Sequence, residues 1–291
     1  MALKKTINDA LTRTTGYQLQ KVRGDAAKPA GAGRAGSVTR RRRAGKGDRL
    51  VQQPAFILSS VRSGSTLLRV LLNSHSQIHS PHELHLRHVK VDVDAAYAEK
   101  ALREIALDEE RLRFLLWDRV LHRELAASGK RHLVNKTPND VFIADDIRRC
   151  WPDARFIFLL RHPVSTARSR AAARKDKDTE ERNLEMVLRY ANALEAARQR
   201  YDGITVRYEE LTQEPERVTR EVCAFLGVEW ERRMLDYGEH DHGRFKAGLG
   251  DWSDKIKSGR IQPPDPLPSP DEIPPALREI SEAWGYVPAR A

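Results

Sequence analysis

The sequence predicts an α/β fold in which a central parallel sheet is covered by helices. From residue 54 onward, short apolar runs of strand length alternate with longer stretches of helical periodicity. Apolar runs of this kind are typical of strands buried on both faces, and the helices between them serve as the crossovers that parallel strands require. The 291 residues have room for one such domain together with tails.

The strands and helices follow from the spacing of apolar residues. The uninterrupted run at 155–160 is the clearest strand, and the proline-rich segment 262–270 is predicted to be extended. The predicted strands are 55–59, 132–135, 155–160 and 204–208. The predicted helices are 65–74, 95–106, 108–128, 139–150, 163–174, 179–201, 215–226 and 272–284, the last ending before Gly285 and Tyr286.

The excess positive charge of the chain lies in its first fifty residues. The chain carries 51 Lys and Arg against 41 Asp and Glu. Residues 1–50 hold 13 basic and 3 acidic side chains, so the remaining 241 residues hold 38 of each and are neutral. A nucleic-acid enzyme more often carries its basic face on the folded domain. The composition therefore argues against nucleic acid as the partner of the domain.

The N-terminal arm divides into two parts. Residues 24–49 are rich in Gly, Ala and Arg without apolar periodicity, which predicts a flexible linker. Ahead of it, Leu3, Ile7 and Leu11 recur at helical spacing beside basic residues, which predicts a short amphipathic helix suited to an anionic membrane surface. We therefore expect a basic, mostly disordered arm over residues 1–50 and a single domain over 51–291.

The cysteine content and the apolar runs bear on the compartment. Cys150 and Cys223 lie in helical, partly apolar contexts, which favours buried free thiols in a reducing compartment. No run of 18 apolar residues and no signal-peptide pattern is present. These observations predict a cytoplasmic protein, with peripheral association at the inner membrane face through the basic arm as a hypothesis.

The segment Arg62-Ser63-Gly64-Ser65-Thr66 joins the first predicted strand to the first helix. A helix N-terminus presents unpaired amides and a partial positive charge, so the turn before it suits an oxyanion. Gly64 lets the backbone approach the anion closely, while hydroxyl groups and a guanidinium add donors. A Walker A loop would place lysine directly after its last glycine, where Ser65 stands here, which argues against a nucleoside triphosphatase.

Four segments in the same order resemble the sulfotransferases that use 3′-phosphoadenosine 5′-phosphosulfate (PAPS). Residues 60–68 resemble the 5′-phosphosulfate loop, and 155–169 resemble the 3′-phosphate motif. Residues 250–256 are similar to the loop that closes over the nucleotide, and 206–228 contain a fourth recurrent segment. The resemblance spans residues 54–286. It implies a P-loop NTPase-like three-layer fold and transfer of a sulfuryl group from PAPS to a hydroxyl, with release of adenosine 3′,5′-bisphosphate.

The resemblance also implies which residues hold PAPS. Arg161 and Ser169 correspond to the 3′-phosphate site, and a guanidinium can pair bidentately with phosphate. Tyr208 is expected to contact the nucleotide, and Trp252 and Lys255 to form its lid. The implied ligands of the 5′-phosphosulfate are Arg62, Ser63, Gly64, Ser65 and Thr66.

Arginine at position 62 makes the loop similar to that of tyrosylprotein sulfotransferases, whereas the small-molecule cytosolic enzymes carry lysine there. Their general base is a glutamate 21 residues later, which corresponds to Glu83. Lys136 lies in a Lys-Thr-Pro turn like those of carbohydrate sulfotransferases and is expected to be a second cation beside Arg62. Because the tyrosylprotein enzymes are secretory and disulfide-bonded, the likeness covers mechanism and not substrate. His82 stays an alternative base.

Several alternatives remain open from the sequence. The acceptor is a glycan, a glycolipid, a peptide tyrosine or another metabolite, and the residues do not distinguish these. A small-molecule kinase of similar fold and a non-catalytic adaptor acting through residues 1–50 are the competing functions. Histidines at 75, 79, 82, 85 and 88 recur at spacings of three and four. No familiar metal-ligand set completes them, and PAPS chemistry needs no metal.

Overall fold

A five-stranded sheet in which all strands run parallel forms the centre of the domain. The computed structural model describes residues 49–174, 178–243, 246, 250 and 254–287. The strand order is β2-β3-β1-β4-β5. The strands are β1 Ala55–Ser59, β2 Ile78–His79, β3 His132–Lys136, β4 Arg155–Leu160 and β5 Gly203–Arg207. The predicted α/β fold with a central parallel sheet is confirmed.

Ten α-helices lie in the described part of the chain. They are α1 Ser65–Asn73, α2 Ala96–Glu104, α3 Glu109–Ser128, α4 Ala144–Cys150, α5 Pro163–Ala173, α6 Glu180–Arg200, α7 Tyr208–Gln213, α8 Pro215–Leu226, α9 Asp254–Lys257 and α10 Pro275–Ala283. The predicted arm lies outside the described residues except for its last two, and Trp252 also lies outside them.

Several elements differ between the sequence prediction and the structure. The helix predicted at 139–150 is a 3-10 turn over Pro138–Ile143 followed by α4, because Pro138 begins a tight turn that buries Asp140. Strand β2 was missed because two residues are too short to form a pattern. The chain turns into α7 at Tyr208, which the sequence placed at the end of a strand.

The sheet is buried on both faces. Phe56 and Leu58 point to the face covered by α3, α4 and α6, where Trp117 and Trp151 also pack. Ile57 points to the opposite face, which α1 and α8 cover. All five of these side chains are completely buried or nearly so. Each such side chain stabilises the fold by about 1.5–3 kcal/mol relative to exposure.

The segment before β1 is fastened to α3. Asp118 of α3 is buried and accepts hydrogen bonds from the amides of Leu50 and Val51 at 2.7 and 3.1 Å. The same carboxylate accepts from the indole of Trp151 at 3.0 Å. Burial raises the pKa of the Cys150 thiol to about 12, so this cysteine is held as an inert thiol.

No helix in the described ranges is both long and apolar enough to cross a lipid bilayer. The carboxyl ends of β1, β3, β4 and β5 meet at one edge of the sheet, because the strands are parallel and adjacent. The loops that leave this edge carry Arg62, Lys136, Arg161 and Tyr208. Ligands of open parallel sheets bind at this edge.

Candidate active site

A cleft of about 1170 Å³ opens at the carboxyl edge of the sheet. Loops from four strands, the inner faces of α5 and α6, and the segment around α9 form its walls. Its lining includes most of the predicted site residues: Arg62, Gly64, Ser65, Thr66, Glu83, Arg161, Ser169, Tyr208 and Lys255. Residues that are far apart in sequence are therefore brought to one cavity.

The turn before α1 has the backbone of an anion-binding loop. Gly64 lies at the N-cap of α1 with φ +86°, and Arg62 has φ +61°. The Ser63 hydroxyl donates to the Ser60 carbonyl at 2.7 Å, which closes the turn. Two left-handed residues within three positions curl the backbone, so its amides converge at the start of the helix.

Tyr208 packs directly against Gly64. A Cβ at position 64 would overlap ring carbons of Tyr208, so only glycine fits beneath the ring. The Arg161 guanidinium stacks on the same ring at 4.4 Å from its centroid. The stack holds the Arg161 side chain beside the loop.

We expect Gly64→Ala to weaken binding of adenosine 3′,5′-bisphosphate at least tenfold and to lower the melting temperature. The added methyl group would displace Tyr208, and its positive φ would strain alanine. Calorimetric titration and thermal melting measure the two effects.

Gly129→Ala is the matched control, because Gly129 has φ +67° with nothing within 4 Å of a built Cβ. Alanine at position 129 has the same strain from a positive φ, but its methyl group overlaps no neighbouring atom. Equal losses of affinity in the two variants would contradict a specific role for the Gly64–Tyr208 contact.

The predicted 5′ and 3′ phosphate residues touch one another. Arg161 donates from Nη1 to the Arg62 carbonyl at 2.9 Å, and Arg62 Nε lies 3.5 Å from Ser169 Oγ. Asp265 lies 4.0 Å from Arg161 and 3.5 Å from Lys255. Because Asp265 is largely exposed, these two ion pairs are weak and an incoming anion can replace the carboxylate.

A buried lysine lies at the other end of the anion loop. Lys136 Nζ donates to Glu83 Oε1 at 2.5 Å and to Thr66 Oγ1 at 3.3 Å. The Lys136 side chain is completely buried and that of Glu83 is 13% exposed. The Glu83 carboxylate also lies 3.7 Å from His85 Nε2. A base candidate, a cation and the first turn of α1 thus meet at one point.

Ser80 fastens the segment that carries Glu83. Its hydroxyl donates to the Val134 carbonyl of β3 at 2.7 Å, and its amide donates to Asn73 at 2.9 Å. Arg69 of α1 donates to the Ser80 carbonyl at 3.2 Å. Burial lowers the pKa of Arg69 to about 10, with the nearby Glu83 charge acting in the opposite direction. The base candidate is therefore placed by bonds to both β3 and α1.

Gly250 covers the contact between Lys136 and Glu83. A Cβ built at this residue would lie 3.4 Å from Thr66 Oγ1, 3.6 Å from Lys136 Nζ and 3.9 Å from Glu83 Oε1. Its φ of +136° is a backbone conformation that side chains disfavour. The sequence pointed to this loop through its similarity to a nucleotide lid, but it did not identify Gly250.

Asp140 lies beneath the Lys136 turn and is almost completely buried. Asn135 and Asp140 are joined by a side-chain hydrogen bond of 2.6 Å. Burial raises the pKa of Asp140 to about 8, the Glu83 charge raises it further, and Asn135 and Lys136 act in the opposite direction. Burial therefore favours the neutral carboxylic acid over the carboxylate at this position. No sequence pattern pointed to Asp140, because an aspartate two residues after a proline is also typical of a solvated turn.

We expect Asp140→Asn to leave stability unchanged near pH 4 and to raise it at pH 7. A folded-state pKa above the unfolded one gives stability that is complete below about pH 4 and is lost as pH rises toward 8. The stability of the Asp140→Asn protein does not fall in this way, because asparagine does not ionise. Its free energy of unfolding should therefore exceed that of the wild type by at most about 4 kcal/mol at pH 7. Urea unfolding at several pH values measures it.

Asp202→Asn is the control, because Asp202 is exposed. If the free energies of unfolding of the Asp140→Asn protein and the wild type change in parallel across this pH range, Asp140 is ionised in the fold.

The remaining predicted residues lie apart from the cluster. The His82 side chain is exposed and its Nδ1 lies 3.1 Å from the Glu83 carbonyl, so it is directed toward the backbone. His75 is buried and bonds to the Glu229 carbonyl at 2.7 Å. Within the ranges that the structure describes, no three His, Cys, Asp or Glu side chains form a metal-binding group.

The lining of the cleft also includes Pro138, Met186 and Tyr190. The Tyr190 hydroxyl donates to Asn139 Oδ1 at 2.5 Å, and burial raises the pKa of this phenol. The sequence did not single out Met186 or Tyr190, because aromatic and thioether side chains on a long helix are more often core residues. Only the packing of α6 brings them to the cleft.

Comparison with known proteins identifies the family. A model described as the Sulfotransferase family matches residues 54–232. Protein-tyrosine sulfotransferase 2 of Gallus gallus is 23% identical over 206 residues, which are 65% of this chain and 55% of that protein. Nodulation protein NoeE of Sinorhizobium fredii is 34% identical over 125 residues, which are 39% of this chain and 30% of that protein. The chain thus spans about half the length of the first relative and less than a third of the second.

The fold is also that of solved sulfotransferase domains. The sulfotransferase domain from the curacin biosynthetic pathway has a TM-score of 0.57 at 24% identity, and the match covers 81% of this chain and 98% of that one. The sulfotransferase domain of the Synechococcus PCC 7002 olefin synthase has a TM-score of 0.53 at 22% identity, with 82% and 90% covered. At these identities the likeness concerns the fold alone.

Proposed function

Because the chain belongs to the Sulfotransferase family, we propose that it transfers a sulfuryl group from PAPS to an acceptor hydroxyl. The observation that carries the proposal is the cluster of Glu83, Lys136 and Thr66 at the start of α1. It places a carboxylate and a buried cation beside an anion-binding loop. That combination suits removal of a hydroxyl proton next to a group whose oxygens gain negative charge.

The cleft has the donors that PAPS would require. The loop Arg62–Thr66 would hold the 5′-phosphosulfate through amides, hydroxyls and a guanidinium. Arg161 and Ser169 adjoin that loop and would hold the 3′-phosphate, and Tyr208 and Lys255 would flank the nucleotide. We include Trp252 among the proposed nucleotide ligands on the ground of the sequence resemblance alone. When bound, PAPS supplies the sulfuryl group and a phosphate leaving group.

The residues of the chain perform three tasks. Glu83 Oε1 or Oε2 accepts the proton of the acceptor hydroxyl, which makes that oxygen nucleophilic. Lys136 and Arg62 place positive charge where negative charge develops on the transferring group, and the buried Lys136 side chain is already held in place. The walls of the cleft orient the two reactants, which contributes to the rate by proximity.

We expect the wild-type protein to bind adenosine 3′,5′-bisphosphate at least tenfold more tightly than AMP. An ionic hydrogen bond is worth about 1.5–3 kcal/mol, and the 3′-phosphate is the only difference between the two ligands. Arg161→Ala is expected to remove most of this preference. Calorimetric titration of both nucleotides against both proteins measures it.

Arg103→Ala on the exposed face of α2 is the control and should keep the preference. Equal binding of the two nucleotides by the wild type would overturn the proposal and favour a small-molecule kinase.

The proposal also covers the acceptor and the N-terminal arm. The acceptor carries a hydroxyl group, and the basic residues of the arm would bring a cytoplasmic enzyme to an anionic membrane surface. Deletion of residues 1–48 should then leave nucleotide binding intact and abolish flotation with vesicles that contain phosphatidylserine. Vesicles of phosphatidylcholine alone are the control. Unchanged flotation of the deleted protein would contradict the role of the arm.

A further inference from the structure

A buried histidine that the proposed reaction does not use bonds to the end of α1. The His242 residue is buried, and its Nε2 lies 2.8 Å from the Tyr237 carbonyl oxygen. Its Nδ1 lies 3.1 Å from Asn73 Nδ2. Asn73 Oδ1 in turn accepts a hydrogen bond from the Ser80 amide at 2.9 Å. These bonds run without a break from Tyr237 to Ser80, and we name the four residues the His242 network.

The partners of His242 determine where its ring proton lies. A backbone carbonyl can only accept, so Nε2 carries the hydrogen in the bond to Tyr237. Because Asn73 Oδ1 accepts from the Ser80 amide, Nδ2 is the atom that faces the ring, and it can only donate. His242 Nδ1 is therefore an acceptor, which assigns the neutral Nε2–H tautomer. A proton on Nδ1 would place two donors opposite each other.

The surroundings of His242 agree with a neutral ring. Burial lowers the pKa of this imidazole to about 4, and the hydrogen bond to the Tyr237 carbonyl acts in the opposite direction. The nearby charges of Arg69 and His240 lower the pKa as well, whereas that of Asp241 raises it. The network is therefore complete at neutral pH.

Two residues of α1 hold the segment before Glu83 against the segment that carries His242. Asn73 does so through its side-chain amide, which bonds to the Ser80 amide and to the His242 ring. Arg69 does so through Nη1, which donates to the Ser80 carbonyl at 3.2 Å and to the His242 carbonyl at 3.4 Å. Because Ser80 lies three residues before Glu83, these bonds act on the segment that carries the candidate base.

The other end of the network reaches the side of the cleft on which Lys255 lies. Tyr237 lines the cleft, and its hydroxyl donates to the carbonyls of Ile256 at 3.2 Å and Arg260 at 3.0 Å. The backbone around α9 is thereby fastened to the segment that carries His242. One set of hydrogen bonds therefore connects the Lys255 side of the cleft with the segment that precedes Glu83.

We propose that Asn73 and His242 are positioning residues for Glu83, and that they hold its segment in place only while the His242 ring accepts a hydrogen bond at Nδ1. This inference rests on the proposed function, because it adds positioning residues to the same site. A general base must lie within hydrogen-bond distance of the proton that it takes. A small displacement of this segment should therefore lower kcat, while the residues that would hold the nucleotide stay in place.

Asn73→Asp is the decisive variant. Its Oδ1 can still accept from the Ser80 amide, but a carboxylate oxygen replaces the donating Nδ2. This oxygen can bond to His242 only when Nδ1 carries a proton. A neighbouring carboxylate raises the pKa of an imidazole, so the His242 pKa should rise from about 4 to between about 5 and 7. The network of the variant is then closed below this raised pKa and open above it.

The measurement is the ratio of kcat between the Asn73→Asp protein and the wild type from pH 5 to pH 8, followed by release of adenosine 3′,5′-bisphosphate from PAPS. Protonation of Glu83 cancels in this ratio because both proteins contain Glu83. We expect the ratio to be highest at pH 5 and at least fivefold lower at pH 8. Its midpoint should equal the His242 pKa that ¹⁵N NMR of the ring measures in the same variant.

Asn192→Asp is the matched control, because it makes the same exchange at an exposed position of α6. Its kcat ratio to the wild type should not change with pH. A ratio that is equally constant for Asn73→Asp would overturn the inference, since the charge of His242 would then have no effect on catalysis. A wild-type His242 with its proton on Nδ1 would overturn it as well.

Asn73→Ala separates positioning from a general loss of structure. It removes the bonds to both Ser80 and His242 at every pH, so kcat should fall at least tenfold without a change in the ratio across the pH range. Affinity for adenosine 3′,5′-bisphosphate should stay within twofold of the wild type, and a parallel loss of affinity would contradict positioning.

The nucleotide titration is made first on each protein, so the proposed function has its own readout. A wild type that neither binds adenosine 3′,5′-bisphosphate nor releases it from PAPS would contradict the proposed function and this inference with it. Normal binding and release together with a constant Asn73→Asp ratio would contradict only the role of Asn73 and His242.

Discussion

Glu83→Gln is expected to lower kcat by about 10²–10⁴, the usual contribution of a general base. Glutamine has nearly the same shape, and its side-chain oxygen can still accept the 2.5 Å hydrogen bond from Lys136. It cannot accept a proton from the acceptor. The loss should therefore appear in kcat, while affinity for adenosine 3′,5′-bisphosphate stays the same, because Glu83 is proposed to act on the acceptor hydroxyl and not on the nucleotide.

The measurement for Glu83 is steady-state transfer from PAPS to any acceptor that the wild type uses, together with calorimetric titration of the nucleotide. Glu221→Gln on the exposed face of α8 is the matched control, since its carboxylate pairs with Arg217 at the surface. His82→Gln should retain most of the activity, because His82 is exposed and bonds to the backbone. A large loss with His82→Gln and a small one with Glu83→Gln would reverse the assignment of the base.

Lys136→Met is expected to lower kcat by about 10²–10³, as does the removal of a preorganised donor that stabilises a developing charge. Methionine fills the volume of the lysine stem in this completely buried position, so the fold should survive. The loss of positive charge leaves Glu83 without the cation that lies 2.5 Å from its Oε1 atom.

The combination of both substitutions tests whether the two residues act as one unit. Because Lys136 and Glu83 are in direct contact, the double variant should lose less than the product of the two single losses. Lys100→Met on the exposed face of α2 is the control and should match the wild type. Fully multiplicative losses would indicate that the two side chains contribute independently, and an active Lys136→Met protein would contradict its electrostatic role.

The fold was predictable where the apolar pattern was long. The runs that became β1 and β4 are buried throughout, apart from the half-buried Arg155 at the start of β4, so only a sheet covered on both faces could accommodate them. The two-residue β2 and the 3-10 turn at Pro138–Ile143 were not predictable, because β3 supplies the pairing of one and the buried Asp140 shapes the other. The residues of β2 and of this turn do not by themselves indicate that β3 pairs with the one or that Asp140 is buried in the other.

The anion loop was also evident from the sequence, since a strand, a glycine turn and a helix start follow one another within about twenty residues. Its chemistry depends on local backbone geometry, and local geometry is what neighbouring residues determine. The left-handed conformation of Gly64 agrees with that expectation, whereas its second reason, the close approach of Tyr208, comes from a residue 144 positions later.

The sequence by itself determined the buried strands, the anion loop and the order in which the site residues occur along the chain. Tertiary structure alone decided that Lys136 contacts Glu83, that Gly250 covers them, and that His242 contacts Asn73. The physical reason is the sequence separation over which each kind of interaction acts. Backbone conformation and burial patterns depend on neighbours in sequence, whereas ion pairs and ring contacts depend on crossovers that join distant segments at one edge of a parallel sheet.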